Sequence, residues 1–158
     1  MNIKIICVGK IKEKYFVDAI KEYSKRMSRF AKFSIIEVPD QKIPDNASDK
    51  EEIQIKNNEG ELILSKLRSD DYVVAMCIEG TQLSSIELAG KIENISMRSS
   101  LIAFIIGGSL GLSDEVKQRA QLRLSFGKIT LPHQLMRVVL CDQIYRAFKI
   151  NRNEQYHK

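Results

Sequence analysis

Glycines end an apolar run in residues 104–116, which read FIIGGSLGLSDEV. A strand that ends in glycines before a helix often brings backbone N–H groups close to a nucleotide-like ligand. The spacing is G-G-x-x-G in the fourth βα unit, whereas dinucleotide-binding proteins carry G-x-G-x-x-G in the first, so that class is disfavoured. Two interpretations of Gly107 and Gly108 remain open, a tight turn and a close approach of the backbone to a ligand.

Other common reaction centres find little support in the sequence. Residues 126–130 read FGKIT and lack the upstream glycine of a phosphate-binding loop, which argues against a nucleoside triphosphatase. His133 and His157 are the only histidines, and no cluster of ligand residues surrounds either one, so we expect no metal site. The three cysteines, Cys7, Cys77 and Cys141, lie far apart in apolar surroundings and are expected to be buried, reduced thiols.

The C-terminal part of the chain is rich in Arg and Lys, and its last three residues could take part in catalysis or binding. Arg137, Arg146, Lys149 and Arg152 fit either a solvated helix face or contacts with phosphates. The last residues, 156–158, are Tyr, His and Lys: an aromatic ring, a group that titrates near neutrality and a cation. They fit either a frayed terminus or the needs of an enzyme that acts on an RNA base.

Strands and helices alternate along the sequence. Apolar and β-branched runs predict strands over residues 3–9, 33–39, 72–78, 101–106 and 122–132, the last as one strand or as two broken at Gly127. Amphipathic segments and Ser caps predict helices over residues 12–27, 49–67, 84–97, from 113 onward and over 133–150. This order predicts an α/β fold with a mostly parallel sheet flanked by helices. Ligands of such sheets bind at the carboxyl ends of the strands, where glycines stand at Gly80, Gly107, Gly108 and Gly127.

Length and composition are those of an ordinary globular protein. The 158 residues predict one domain spanning 1–158, and the net charge of +5 is a mild basic excess that favours a polyanionic partner. No apolar run is long enough for a signal peptide or a membrane span, so we expect a soluble cytoplasmic protein. The helix at 133–150 is apolar over more than one face, which fits either deep burial or a subunit interface.

Several long motifs resemble one known family. Residues 104–111 (FIIGGSLG), 124–150 (LSFGKITLPHQLMRVVLCDQIYRAFKI) and 156–158 (YHK) closely resemble the ribosomal RNA large-subunit methyltransferase H family of the SPOUT class. Residues 3–16 and 35–42 resemble it too, so the likeness covers essentially the whole chain. The resemblance implies an α/β fold with a C-terminal trefoil knot, and a homodimer. It also implies an S-adenosylmethionine-dependent enzyme that methylates N3 of a pseudouridine in 23S ribosomal RNA of assembled ribosomes.

The same resemblance assigns roles to particular residues. It implies a cofactor site at the ends of three strands, with these residues: Met76, Gly107, Phe126, Gly127, Lys128, Ile129, Thr130 and Leu131. We expect Tyr156 or His157 to orient or deprotonate the base, and Arg152 or Lys158 to stabilise charge. Arg137 and Arg146 are candidates for contacts with RNA or across the dimer, and Lys158 is a candidate for contacts with RNA. A site shared across the dimer is a further expectation, since the tail is exposed.

Two other functions remain as alternatives. A basic α/β protein of this size can dock on ribosomes without catalysis. A doubly wound enzyme with a nucleotide cofactor is disfavoured by its wrong glycine pattern. If the chain is the methyltransferase, a net charge of only +5 predicts weak, strongly salt-dependent binding to protein-free RNA.

Overall fold

A computed structural model describes residues 1–156 and shows a single five-stranded sheet. All the strand pairs are parallel, and the strand order is β2-β1-β4-β3-β5. The strands are β1 (Asn2–Val8), β2 (Lys32–Val38), β3 (Tyr72–Gln82), β4 (Leu101–Ile106) and β5 (Leu122–Ser125). The predicted α/β class with a parallel sheet is therefore confirmed.

Helices cover both faces of this sheet. They are α1 (Lys14–Met27), α2 (Asp49–Leu64), α3 (Ser85–Ser96), α4 (Asp114–Arg119) and α5 (His133–Asn151). On one face α1 and α3 pack against α5, and on the other α2 packs against α4. Successive residues of β1 alternate between the two cores: Ile5 and Cys7 join the α1–α3–α5 side, and Ile6 and Val8 join the α2–α4 side. A strand buried on both faces is apolar throughout, as the central strand β4 is, with the sequence LIAFII.

Most helix starts are fixed by side chains that the sequence marks. Ser48 with Glu51 and Ser84 with Glu87 each form a complete capping box, so two orphan N–H donors at each helix start are satisfied. The hydroxyl of Ser113 accepts from the N–H of Val116 at the start of α4. These three predicted caps are confirmed.

Two predicted boundaries are wrong. The fifth strand ends at Ser125 rather than continuing to residue 132, because Gly127 turns the chain with a φ of +119°. The third strand extends to Gln82, with a register shift between Met76 and Thr81 where it pairs with β5. The chain after Ser125 is thus a loop, and that loop leads into α5.

The topology brings three strand ends together. β4, β3 and β5 are neighbours in the sheet and run in the same direction, so their carboxyl ends meet at one edge. The trefoil knot stays a prediction. No helix within residues 1–156 is long and apolar enough to cross a membrane.

Candidate active site

A cavity of about 400 Å³ opens at the carboxyl ends of β3, β4 and β5. Its walls come from residues 76–79 of β3, the β4–α4 loop at 106–112, and the β5–α5 connection at 124–127 and 129–131. Lys56, Lys117, His133 and Met136 complete the lining. The volume lies in the range of pockets for small ligands.

The loop at 107–111 is a tight turn whose backbone also faces the cavity. Gly107 has no room for a side chain, since a Cβ there would lie 2.8 Å from the carbonyl carbon of Gly111. Gly111 has a φ of +84°, and its N–H donates to the carbonyl of Gly108 over 3.0 Å. The tight turn and the backbone approach to a ligand are therefore compatible, because one loop does both.

The β5–α5 connection forms a second cavity loop. The hydroxyl of Ser125 both accepts from the N–H of Gly127 and donates to its carbonyl, at 3.1 and 3.2 Å. Ile129 is 81% exposed beside the cavity. An apolar side chain held in water next to a cavity is available to contact a ligand. Of the eight predicted cofactor residues only Lys128 is absent from the cavity wall, although it belongs to the same loop.

The ionisable groups on the β3 side of the cavity are already engaged. Glu79 and Lys117 form an ion pair, and the hydrogen bond from Lys117 lowers the pKa of the Glu79 carboxyl. Cys77 is half-buried and lines the cavity rather than lying in the core as expected, and burial raises the pKa of its thiol. This side of the wall therefore offers mainly apolar surface and backbone groups.

His133 lines the cavity and was not predicted as a site residue. Its Nδ1 is buried and has no hydrogen-bond partner among the described residues. Burial, followed by the positive charge of Arg137, lowers the pKa of the imidazole, while Asp40 opposes that shift. The available sequence signal was position, since His133 directly follows the second cavity loop and begins α5.

Arg137 is a core residue, which corrects its predicted contact with RNA. The side chain is 1% exposed and reaches back to β1 and β2. Its guanidinium donates to Glu37 over 2.7 Å and to the carbonyls of Gly9 and Val8 over 2.6 and 3.2 Å. A guanidinium enclosed in this way cannot reach a phosphate. It fixes the start of α5 against the sheet instead.

The described part of the C-terminal tail packs far from the cavity lining, on the α1–α5 surface. Asp142 accepts from the hydroxyls of Tyr156 and Tyr23 at 2.7 and 2.9 Å and from Arg146 at 3.1 Å. We call Tyr23, Asp142, Tyr145, Arg146 and Tyr156 the tail cluster. Tyr145 packs edge-on against Tyr156, and the Arg146 guanidinium lies 4.6 Å from the centre of the Tyr156 ring.

The electrostatics of the tail cluster explain its protonation states. Burial alone would raise the pKa of Asp142, but the hydrogen bonds from Tyr156, Tyr23 and Arg146 hold it below its ordinary value. Burial and the bond to Asp142 raise the pKa of the Tyr156 hydroxyl, which therefore stays a donor.

The other predicted tail residues lie outside this cluster. The guanidinium of Arg152 lies 4.8 Å from the centre of the Phe30 ring. The predicted site residues His157 and Lys158 lie outside the described residues.

Comparison with known proteins decides the family. The model of the family described as "Predicted SPOUT methyltransferase" matches residues 1–157. Proteins named ribosomal RNA large subunit methyltransferase H are 57% identical in Clostridium perfringens and Lactobacillus acidophilus, and 58% identical in Bifidobacterium animalis subsp. lactis. Each alignment covers 100% of both chains.

This chain belongs to the SPOUT methyltransferase family. The membership makes it an enzyme and confirms the resemblance found in the motifs. A SPOUT methyltransferase needs a place for a methyl donor, and the cavity fits one by its chemistry. Its wall is largely apolar, and Gly107 and its neighbours in the loop at 107–111 form part of it. No group of side chains suited to a metal ion occurs in residues 1–156.

Proposed function

We propose that this chain transfers a methyl group from S-adenosylmethionine to N3 of a pseudouridine in 23S ribosomal RNA of assembled ribosomes. The observation that carries the proposal is the cavity at the three strand ends in a chain of the SPOUT family. Support for the RNA substrate comes from relatives at 57% identity that are named ribosomal RNA large subunit methyltransferase H. The chain acts as one domain, in the cytoplasm.

The methyl donor would be held by backbone and apolar groups. Met76 would contribute from β3, just before its register shift, and Gly107 from the position directly after β4. The second loop would contribute Phe126, Gly127, Ile129, Thr130 and Leu131, and it also contains Lys128. The bound sulfonium supplies an electrophilic methyl group, so the protein needs to orient the base rather than to activate the methyl carbon. The two glycine loops would bring backbone groups close to the donor.

Recognition of the RNA would depend on a preformed ribosomal surface. The chain carries a net charge of only +5, which limits the number of phosphates that it can neutralise. Arg146 and Lys158 stay the proposed contacts with RNA. Arg137 is withdrawn from that set because it is buried.

The tail residues would act in a homodimer. Tyr156 and Arg152 do not line the cavity of their own chain, so a role in orienting the base is best served if the tail reaches the cavity of a partner chain. There Tyr156 or His157 would orient the base, and Arg152 or Lys158 would stabilise its charge. To test this, chains carrying Gly107→Val and chains carrying His157→Ala can be co-expressed with different tags.

A shared site makes a clear prediction for the mixed dimers. Each variant homodimer should be inactive, and heterodimers isolated through both tags should recover activity. In that heterodimer one cavity is intact and faces an intact tail. Heterodimers as inactive as the parents would contradict a site shared between subunits.

The direct test of the function is methyl transfer to ribosomes. Purified protein and S-adenosylmethionine with a labelled methyl group are incubated with ribosomes from cells that lack this gene, and with protein-free RNA from the same cells. We expect label on the ribosomes, mapping by mass spectrometry to N3 of one pseudouridine, and little on protein-free RNA. If folded protein binds the ribosomes but transfers no label, it is a ribosome-binding module without catalysis.

A further inference from the structure

His133 stands where a molecule in the cavity can reach it. It is the first residue of α5 and forms part of the cavity wall. It also lines a small recess beside the backbone at 108–110, together with Asp40 and Glu59. The imidazole therefore lies between the cavity and the recess.

The ring has an unmet hydrogen-bonding requirement. Two buried side-chain nitrogens have no partner in the part of the chain that the structure describes: Nδ1 of His133 and Nε of Arg137. Buried polar atoms in native proteins nearly always have a partner, so an exception marks a place for a ligand or a water molecule. Of the two residues, only His133 lines the cavity.

The other ionisable groups of the cavity wall are poor proton acceptors. Lys56 and Lys117 carry ammonium groups, which donate protons and have no lone pair to accept one. Glu79 is paired with Lys117, which lowers its pKa, and burial keeps the thiol of Cys77 protonated by raising its pKa. His133 is thus the one cavity-lining side chain, within residues 1–156, with a ring nitrogen that no hydrogen bond occupies.

The charges around the ring favour its neutral form. Arg137 lies one turn further along α5 and disfavours a second positive charge. Asp40, from the connection between β2 and α2, acts in the opposite direction but is outweighed by burial and Arg137. Glu59 of α2 lines the same recess, and burial raises the pKa of its carboxyl towards the neutral acid. Burial and Arg137 together therefore favour the uncharged imidazole.

The backbone that carries the ring is firmly held. Pro132 precedes it with a φ of −54°, and the carbonyl of Pro132 accepts from the N–H of Met136. One turn later the Arg137 guanidinium is bonded to Glu37 and to the carbonyl of Gly9. A proton acceptor on such a support loses little entropy when it meets the base.

We infer that His133 accepts the N3 proton of the base during methyl transfer, an inference that rests on the proposed function. The N3–H bond breaks and its proton moves to the imidazole, while the nitrogen electron pair forms the bond to the methyl carbon. The carbon–sulfur bond breaks, and its electrons stay on sulfur, which leaves as a neutral thioether. The imidazolium then gives its proton to water, so no oxidant or further reactant is needed.

The test uses His133→Asn and His133→Ala, with Gln134→Ala as the matched control. Asn keeps a neutral hydrogen-bonding group near the position of Nδ1 but cannot take a proton. The side chain of Gln134 accepts from the N–H of Lys12 and does not line the cavity. Single-turnover methyl transfer to ribosomes is measured from pH 5 to pH 9, S-adenosylmethionine affinity by calorimetry, and the His133 pKa in the free protein by NMR.

We expect both His133 variants to slow methyl transfer by about 100-fold or more, the usual contribution of a positioned base. Their S-adenosylmethionine affinity and unfolding temperature should stay near those of the unaltered protein, as should all properties of Gln134→Ala. The rate of the unaltered protein should rise with pH and level off above the His133 pKa that NMR gives. In both His133 variants this plateau should be absent, because the pseudouridine must then lose its N3 proton without a protein acceptor.

Two results would overturn the inference. One is transfer by His133→Asn at nearly the normal rate with the same pH profile. The other is a large loss of S-adenosylmethionine affinity with an unchanged rate at saturation, which would make His133 a contact of the methyl donor. Failure of the proposed function is a separate outcome, since the unaltered protein would then transfer no methyl group at any pH.

Discussion

The start of α5 and the tail cluster differ in how well their polar groups are satisfied. At the start of the helix, Nδ1 of His133 and Nε of Arg137 are buried without partners within the described chain. In the tail cluster, Asp142, at the middle of the helix, accepts from Tyr23, Tyr156 and Arg146 together. One helix thus joins a cavity with unmet hydrogen bonds to a cluster whose carboxylate is saturated.

The difference indicates which of the two regions, the start of α5 or the tail cluster, binds a ligand. Satisfied polar clusters stabilise a fold and fix its geometry, whereas unsatisfied buried atoms lower stability unless something binds. The hydrogen bonds of the tail cluster therefore hold Tyr156 and Arg146 in place before any ligand is bound. The cavity end has the character of a binding site, and the following predictions separate the two by their effects on stability and on binding.

The largest effect is expected from Arg137→Met. The change removes a buried guanidinium from Glu37 and from the carbonyls of Gly9 and Val8. Glu37 is itself 37% exposed, so the main loss is the donor to two backbone carbonyls, which costs about 1–3 kcal/mol of unfolding free energy for each carbonyl left unsatisfied. Urea unfolding measures the loss, and a change below about 1 kcal/mol would show that Arg137 is not the anchor of α5.

The next effect concerns binding, through Gly107→Ala. Its new Cβ would lie 2.8 Å from the backbone of Gly111, so the first cavity loop must shift. The loop must regain its original shape to bind the donor, so strain of about 1–3 kcal/mol corresponds to a loss of S-adenosylmethionine affinity of about 5- to 150-fold. Calorimetric titration measures the affinity.

Gly90→Ala is the matched control for that change. Gly90 lies in α3 and has nothing within 4 Å of a new Cβ. The substitution should leave the affinity unchanged and raise the unfolding free energy by about 0.5–1 kcal/mol, since Ala suits a helix better. Equal affinities of the two Ala variants would argue against the loop at 107–111 as the donor site.

A smaller effect, on stability alone, is expected from Tyr23→Phe in the tail cluster. It removes one of the four side chains that donate to the Asp142 carboxylate, which are Tyr23, Tyr156, Arg146 and Gln143, and it leaves the ring. Hydrogen bonds to a charged group contribute about 1.5–3 kcal/mol, and the three remaining donors place the loss at the lower end. Thermal unfolding measures this loss of stability. A fall in S-adenosylmethionine affinity would contradict the distinction between the cavity at the start of α5 and the tail cluster.

The smallest effect is expected from Glu59→Gln, beside the cavity. Burial raises the pKa of Glu59, so the folded protein holds this proton more tightly than the unfolded chain. The unaltered protein therefore loses stability as pH rises from the ordinary value through the raised one, whereas Gln does not. The unfolding temperature of Glu59→Gln should exceed that of the unaltered protein at pH 7 but not at pH 4. An increase of equal size at both pH values would contradict a raised pKa of Glu59.

The sequence predicted the cavity because its determinants are local. A glycine at a strand end and a Ser cap at a helix start can each be recognised within a few residues, as at Gly107 and Ser113. The burial of Arg137 could not be predicted, because its partner Glu37 is 100 residues away and helical spacing does not show which cation faces inward. His133 escaped notice for the same reason, since its unmet hydrogen bond depends on three separate segments.

Hydrogen–deuterium exchange with and without saturating S-adenosylmethionine tests the central claim most directly. Peptides covering residues 107–112 and 126–131 should show the largest slowing of exchange, because both loops line the cavity. Peptides that carry the tail cluster should change less, and an equal concentration of NADH should slow neither loop. Unchanged exchange in both cavity loops at saturation would contradict the account, since the methyl donor would then bind elsewhere or not at all.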